Sequence, residues 1–103
     1  VGAQTVLTDG DLVLDRSARS VTRAGTALTL TAREFDLLAF LLAHPDEPFS
    51  REQLLSEVWG WEFGDLTTVT VHVRRLREKV ELEPSQPVRL VTVWGVGYRW
   101  DPS

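Results

Sequence analysis

Apolar residues recur along this chain in two rhythms, and each change of rhythm marks a change of element. From Thr5 to Leu30 the pattern is β-like. Thr5-Val6-Leu7, Leu12-Val13-Leu14, Ser20-Val21-Thr22 and Leu28-Thr29-Leu30 are short runs, and Asp9-Gly10 and Ala24-Gly25 supply turn chemistry between them. The spacings are too short for helical crossovers, so the four strands must pair as antiparallel neighbours. A sheet of this size needs a partner to cover its apolar face.

At Thr31 the rhythm turns helical. Thr31-Ala-Arg-Glu34 has the form of a capping box, followed by Phe35, Leu38, Ala39 and Leu42 at helical spacing. Leu37, Phe40 and Leu41 widen that stripe, which predicts a largely buried helix ending near Ala43, before His44-Pro45. A second box, Ser50-Arg-Glu-Gln53, opens a helix with the stripe Leu54, Leu55, Val58 and Trp59, and Gly60 closes it. After the aromatic loop 61–66, either Asp65 or Thr67 can cap a third helix from Thr67 to Val80. Val69, Val73, Leu76 and Val80 fall together as its buried stripe. The opposite face holds Thr67, Thr68, Val71, Arg74 and Arg75, flanked by Thr70, His72 and Arg77. Residues 67–73 are rich in β-branched side chains, but a strand would leave Leu76 and Val80 without a common face. Pro84 and Pro87 end the helix, and Val88 to Trp100 reads as a strand, a turn at Gly95-Val96-Gly97 and a second strand.

Three helices followed by a hairpin make an α+β winged helix-turn-helix. In that arrangement the third helix enters the major groove and the hairpin, or wing, reaches a neighbouring groove or the backbone. Charge first argues against this, since 11 basic and 15 acidic residues leave a net −4. Its distribution changes the picture. Residues 66–80 carry Arg74, Arg75, Arg77 and Lys79 against Glu78 alone, a local +3 on an acidic body. Screening limits each charge to about 10 Å at ordinary salt, so the local excess is what a phosphate meets. The acidic total favours one competing use of the fold, a module that binds proteins without DNA specificity.

Other chemistry is poorly represented. Cysteine is absent and the two histidines lie far apart in the sequence, with no paired carboxylates at metal-ligand spacing, so neither an enzyme nor a metal or other cofactor is expected. His44, at a helix end, is read as a surface residue without function. The Gly95-Val96-Gly97 pattern lacks the strand-to-helix context of a nucleotide loop. No apolar run approaches the ~20 residues of a membrane span, and a cytoplasmic setting is expected. The chain opens on Val1 and a polar stretch, which suggests a piece of something longer with a partner domain upstream; residues 1–103 themselves are expected to form one domain.

Four strings then resemble one family, the OmpR/PhoB-type output domains of bacterial two-component response regulators. They are Leu30-Thr31-Ala-Arg-Glu34-Phe35-Asp-Leu37-Leu38, Ser50 to Leu55 with Val58-Trp59-Gly60, Val69-Thr-Val71-His72-Val73-Arg74-Arg75-Leu76-Arg77, and Gly95-Val96-Gly97-Tyr98-Arg99. They cover nearly the whole chain in order. The resemblance implies a four-stranded N-terminal sheet on three helices with a C-terminal wing. It also implies an upstream receiver domain phosphorylated by a sensor kinase, and dimers on direct-repeat half-sites of double-stranded DNA. The loop around Trp61, Glu62, Phe63 and Asp65 is similar to the segment such proteins present to RNA polymerase; for Trp61 and Phe63 simple loop packing is the alternative.

Base readout is expected from Arg75, whose guanidinium fits guanine O6 and N7, from Val71 against a thymine methyl, and from Thr68. Val71 half-buried against the hairpin is the alternative reading. Phosphate or wing contacts are expected from Thr67, His72, Arg74, Arg77, Thr92, Trp94 and Arg99. For His72 the alternative is a histidine hydrogen-bonded within the fold, and Tyr98 is expected to pack on the core. Two positions depart from the family pattern. Arginine often opens the recognition helix where Thr67 stands, and often occupies the wing where Trp94 stands. Tryptophan brings no charge, which moves wing contact toward stacking on sugars or toward Arg99.

Overall fold

The computed structural model describes residues 5–102; the polar start at Val1 lies outside them. The first four strands, β1 (Val6–Asp9), β2 (Leu12–Asp15), β3 (Ser20–Arg23) and β4 (Thr26–Leu28), form an antiparallel meander in chain order. The expected four strands are there, but the fourth begins two residues early. Arg23 pairs with Thr26, so Ala24-Gly25 alone turn the chain, with φ of 51° and 83°. Two consecutive left-handed residues match the right-handed twist of the strands they join. Leu12, Leu14 and Val21 point inward and are buried, while Thr8, Val13 and Ala27 face out.

Helix α1 (Ala32–Ala43) begins with the expected capping box: Thr31 Oγ1 accepts the Glu34 N–H and Glu34 Oε1 accepts the Thr31 N–H. Leu37, Leu38 and Leu41 are fully buried. The second box also forms, through Ser50 and Gln53, and starts α2 (Arg51–Leu54). This helix does not continue as a regular α-helix. Residues Leu55–Trp59 widen into a single π-type turn, and Gly60 stops it with φ 74°. Leu55 and Trp59, both expected on the apolar stripe, are in the core; such turns interrupt the regular spacing of a helix. Ahead of α2, Phe49–Ser50 forms a two-residue strand, β5, that the hydrophobic pattern was too short to reveal.

Helix α3 (Thr67–Val80) runs the length expected of it. Val69, Val73, Leu76 and Val80 are at most 1% exposed, and each contributes roughly 1.5–3 kcal/mol by leaving water. The C-terminal hairpin is β6 (Leu90–Val93) and β7 (Gly97–Trp100), and β5 joins it to give the order β5-β7-β6. Gly97 belongs to the strand and not to the turn. A Cβ there would sit 2.1 Å from the Phe49 carbonyl oxygen, so the close pairing of β5 requires glycine. The hairpin bends at residues 94–96, where the Val96 N–H donates to the Val93 carbonyl and Gly95 has φ 81°. No helix of the described residues is long and apolar enough to cross a membrane.

Candidate nucleic-acid interface

Both ends of α3 are held by specific polar contacts. At its N-terminus the cap position falls on Leu66, which offers no side-chain bond, and Asp65 just before it supplies the acceptor instead. Its carboxylate accepts the Thr67 N–H at 2.9 Å and the Thr67 hydroxyl, and these bonds hold it below the usual aspartate range. A negative charge there also suits the helix dipole. Asp65 is therefore committed to shaping the start of α3, and the hydroxyl of Thr67 is turned back toward it. At the C-terminus Arg23 donates to the Lys79 carbonyl at 2.7 Å and Arg89 to the Val80 carbonyl at 3.1 Å. Arg89 also pairs with Asp11, and that bond lowers the Asp11 pKa. Glu81, 3% exposed, folds its carboxylate onto the backbone N–H groups of Val88, Arg89 and Leu90. Buried carboxylates persist where such donors replace water.

A further tie joins α3 to α1. Lys79 Nζ donates to Glu34 Oε1 at 2.6 Å, and the Glu34 side chain is 2% exposed. Burial pushes the Glu34 pKa up, but the bonds from Lys79 and the Thr31 N–H outweigh it and leave the net shift downward. Lys79 thus faces the body of the domain.

The remaining basic residues of α3 divide sharply. Arg77 is half-buried: its Nε donates to the Leu90 carbonyl at 2.9 Å, its Nη2 to Thr92 Oγ1 at 2.9 Å, and its guanidinium lies 5.6 Å from the Tyr98 ring centre. Burial lowers its pKa, though far too little to matter at neutral pH. The expected phosphate ligand is thus also the clamp between α3 and the wing, and Thr92 is its partner. Arg74 and Arg75 are exposed, and their guanidinium groups have neither ion pair nor hydrogen bond among the described residues. With Val71, 39% exposed, and Glu78 they line one shallow hollow. Val71 is therefore open to a partner and not sealed under the hairpin. Of the four basic residues that gave the segment its +3, two remain available outward.

His72 takes the alternative reading in part. It is half-buried, its Nδ1 bonds the Thr68 carbonyl at 2.7 Å, and its ring meets Trp59 edge-on at 5.0 Å. A carbonyl partner requires a proton on Nδ1, so Nε2 donates only when the ring is charged. Thr68 is half-buried beside it. In the wing, Trp94 is 89% exposed at the tip and Val96 49%. Arg99 is occupied by Asp101 through two bonds of 2.5 and 3.0 Å, which raise the arginine pKa and lower that of the aspartate. The wing therefore carries no cation free of an internal acid or carbonyl, and its most accessible large side chain is an indole. Tyr98 is buried, as expected.

Arg51 was not among the candidates, yet it lines one cleft together with Glu52 and residues 92–98, Trp94 among them. It is exposed, and its guanidinium has no ion pair or hydrogen bond among the described residues. The sequence signal was available in its place inside the second capping box, directly after the cap Ser50, on a helix neighbouring α3. The loop 61–66 divides as well. Phe63 is 87% exposed and Glu62 is exposed, whereas Trp61, 46% exposed, packs on Gly64, where a Cβ would come within 3.2 Å of its ring. Trp59 is core. Among the described residues no cluster of His, Asp or Glu is arranged to hold a metal ion.

Comparison with known proteins agrees with this geometry. The family model described as transcriptional regulatory protein, C terminal, matches residues 25–100. The transcriptional regulatory protein ResD of Bacillus subtilis is 48% identical over 100 residues, covering 95% of this chain and 42% of ResD. The DNA-binding response regulator MtrA of Mycolicibacterium smegmatis is 46% identical over 98 residues, covering 94% of this chain and 43% of MtrA. The chain thus spans less than half the length of these curated relatives. Among solved structures, the RstA DNA-binding domain of Klebsiella pneumoniae in complex with the RstA box superposes with a TM-score of 0.88 at 29% identity, covering 97% of this chain and 100% of that one. The Thermotoga maritima response regulator DrrB, an OmpR/PhoB homolog, gives 0.86 at 30% identity, covering 95% of this chain and 45% of DrrB.

Proposed function

The chain belongs to the family of transcriptional regulatory protein C-terminal domains, and we propose that it is the DNA-binding output domain of a two-component response regulator that controls transcription. Its fold is the OmpR/PhoB-type winged helix. The observation that carries the reading is the outward face of α3, where Val71, Arg74 and Arg75 stand unengaged on a helix anchored at both ends. A helix held this rigidly presents side chains to the major groove with little ordering left to be done on binding.

In this reading Arg75 takes guanine O6 and N7, Val71 meets a thymine methyl, and Thr68 reaches a base from the start of the helix. Arg74 and Arg51 bind phosphate, Thr67 sits at the strand backbone, and His72 contributes through Nε2. Arg77 and Thr92 set the angle of the wing, and Trp94 lies against deoxyribose. Arg99 stays with Asp101.

The whole protein, more than twice this length in its relatives, carries a receiver domain upstream and answers to a sensor kinase from the cytoplasm. Paired copies occupy direct-repeat half-sites, and Phe63, with Glu62 and Trp61 beside it, is the surface offered to RNA polymerase. The domain acts by binding and carries no catalytic site. Selection of binding sites from random duplex DNA tests the core of this proposal. A defined repeated motif is expected, and enrichment of no sequence at low salt would overturn it in favour of a protein-binding module.

A further inference from the structure

The outward face of α3 ends on an acid. Glu78 is exposed and shares the hollow of Val71, Arg74 and Arg75. Arg74 lies four residues before it and Arg75 three, yet the Glu78 carboxylate has no ion pair or hydrogen bond among the described residues. An acid C-terminal to its base is the weaker order for a helical pair, which leaves the carboxylate free. On a surface that presses against a polyanion, a free carboxylate is unfavourable unless it accepts a hydrogen bond there.

The major groove offers two kinds of donor, the amino groups of cytosine N4 and adenine N6. Beside adenine N6 stands N7, an acceptor that repels a carboxylate. On cytosine's own edge the neighbour of N4 is the C5 hydrogen, which does not repel a carboxylate. Cytosine is therefore the base this side chain fits. Position agrees for a helix lying along the groove: three residues advance it by about 4.5 Å, against roughly 3.4 Å between base pairs, which sets Glu78 over the pair next to the one under Arg75. We propose that Glu78 is a specificity-determining residue that accepts a hydrogen bond from cytosine N4 in the base pair adjoining the guanine read by Arg75. This rests on α3 being the major-groove helix. At any other base the carboxylate loses its hydration for nothing in return, so Glu78 also discriminates against wrong sites.

Site selection with the parent chain and with Arg75→Ala, Glu78→Ala and Glu78→Gln tests this. The parent is expected to select a cytosine beside a guanine. Arg75→Ala erases the guanine, and Glu78→Ala erases only the cytosine. Glu78→Gln moves the preference from cytosine to adenine, because a carboxamide pairs with N6 and N7 together. On the selected site, a pyrimidinone lacking the exocyclic amine in place of that cytosine should weaken the parent about tenfold and leave Glu78→Ala nearly unaffected. If Glu78→Ala binds every sequence more tightly with its preferences intact, Glu78 merely repels phosphate and the proposal fails. If the parent selects no site at all, the DNA reading itself fails and takes this one with it. Glu78 is exposed, so unchanged thermal midpoints are expected of both variants.

Discussion

Among single residues, what separates a DNA ligand from a structural one is whether its donors are already used. Arg75 and Arg74 differ from Arg77 in nothing the composition records, but only the first two are unengaged. Arg75→Ala is expected to relax preference at one base pair, a loss of about 1–3 kcal/mol on the selected site with little change elsewhere. Arg74→Ala should weaken all sequences alike and lower the slope of log affinity against log salt by about one. Equal losses on selected and random duplexes for Arg75→Ala would remove it from base readout. The exposed Trp94, on a wing without a free cation, leads to the opposite signature. Trp94→Ala should weaken binding with an unchanged salt slope, while Trp94→Arg should raise nonspecific affinity and steepen the slope; equal or weaker binding by the arginine variant would refute this view of the wing.

At the level of elements, α3 owes its pose to partners distant in sequence. Arg77 joins it to β6 through two hydrogen bonds, and Arg77→Ala leaves the Leu90 carbonyl and Thr92 hydroxyl without that donor. A destabilisation of about 2 kcal/mol is expected, with amide exchange quickening in β6 and β7 more than in the N-terminal sheet. Uniform quickening would mean that Arg77 supports the whole core and not the wing in particular. Glu34 joins α1 to α3 through Lys79, and its pKa is lowered in the folded state. A carboxylate with a lowered folded pKa adds stability above its unfolded value, near 4.3, and loses it as pH falls from there through the folded value. Glu34→Gln should thus be less stable than the parent at neutral pH, with the gap closing below about pH 4; a gap constant with pH in denaturant melts would rule out ionisation as its source.

Across the whole molecule, charge is arranged so that few cations stand free on the proposed DNA face. The chain is net −4, and the local +3 of α3 shrinks to Arg74 and Arg75 because Arg77 and Lys79 turn inward. With Arg51 added, a single domain is expected to show a salt slope of about −3, shallow for a DNA binder, and weak affinity for one half-site. Two half-sites in direct repeat should bind much more tightly than one, and inserting about five base pairs, half a turn, between them should abolish the gain. Full affinity at a single half-site would refute pairing. The capping boxes at Thr31 and Ser50, the stripe of α3 and the turn residues of the sheet were legible along the chain, because each depends on neighbours within a few positions. Local order also fixed which face of α3 is buried. The two-residue β5, the π-type turn after Leu54 and the fates of Arg77 and Lys79 were not legible. β5, Arg77 and Lys79 are decided by partners brought near only when the chain closes: Tyr98 and Gly97 for β5, Leu90 and Thr92 for Arg77, Glu34 for Lys79. The amino-acid order thus determined the elements and their amphipathic faces, since period and capping are short-range. Which of the exposed-looking cations remained free to meet DNA was decided by tertiary structure, because a long flexible side chain takes whatever acceptor the fold sets beside it.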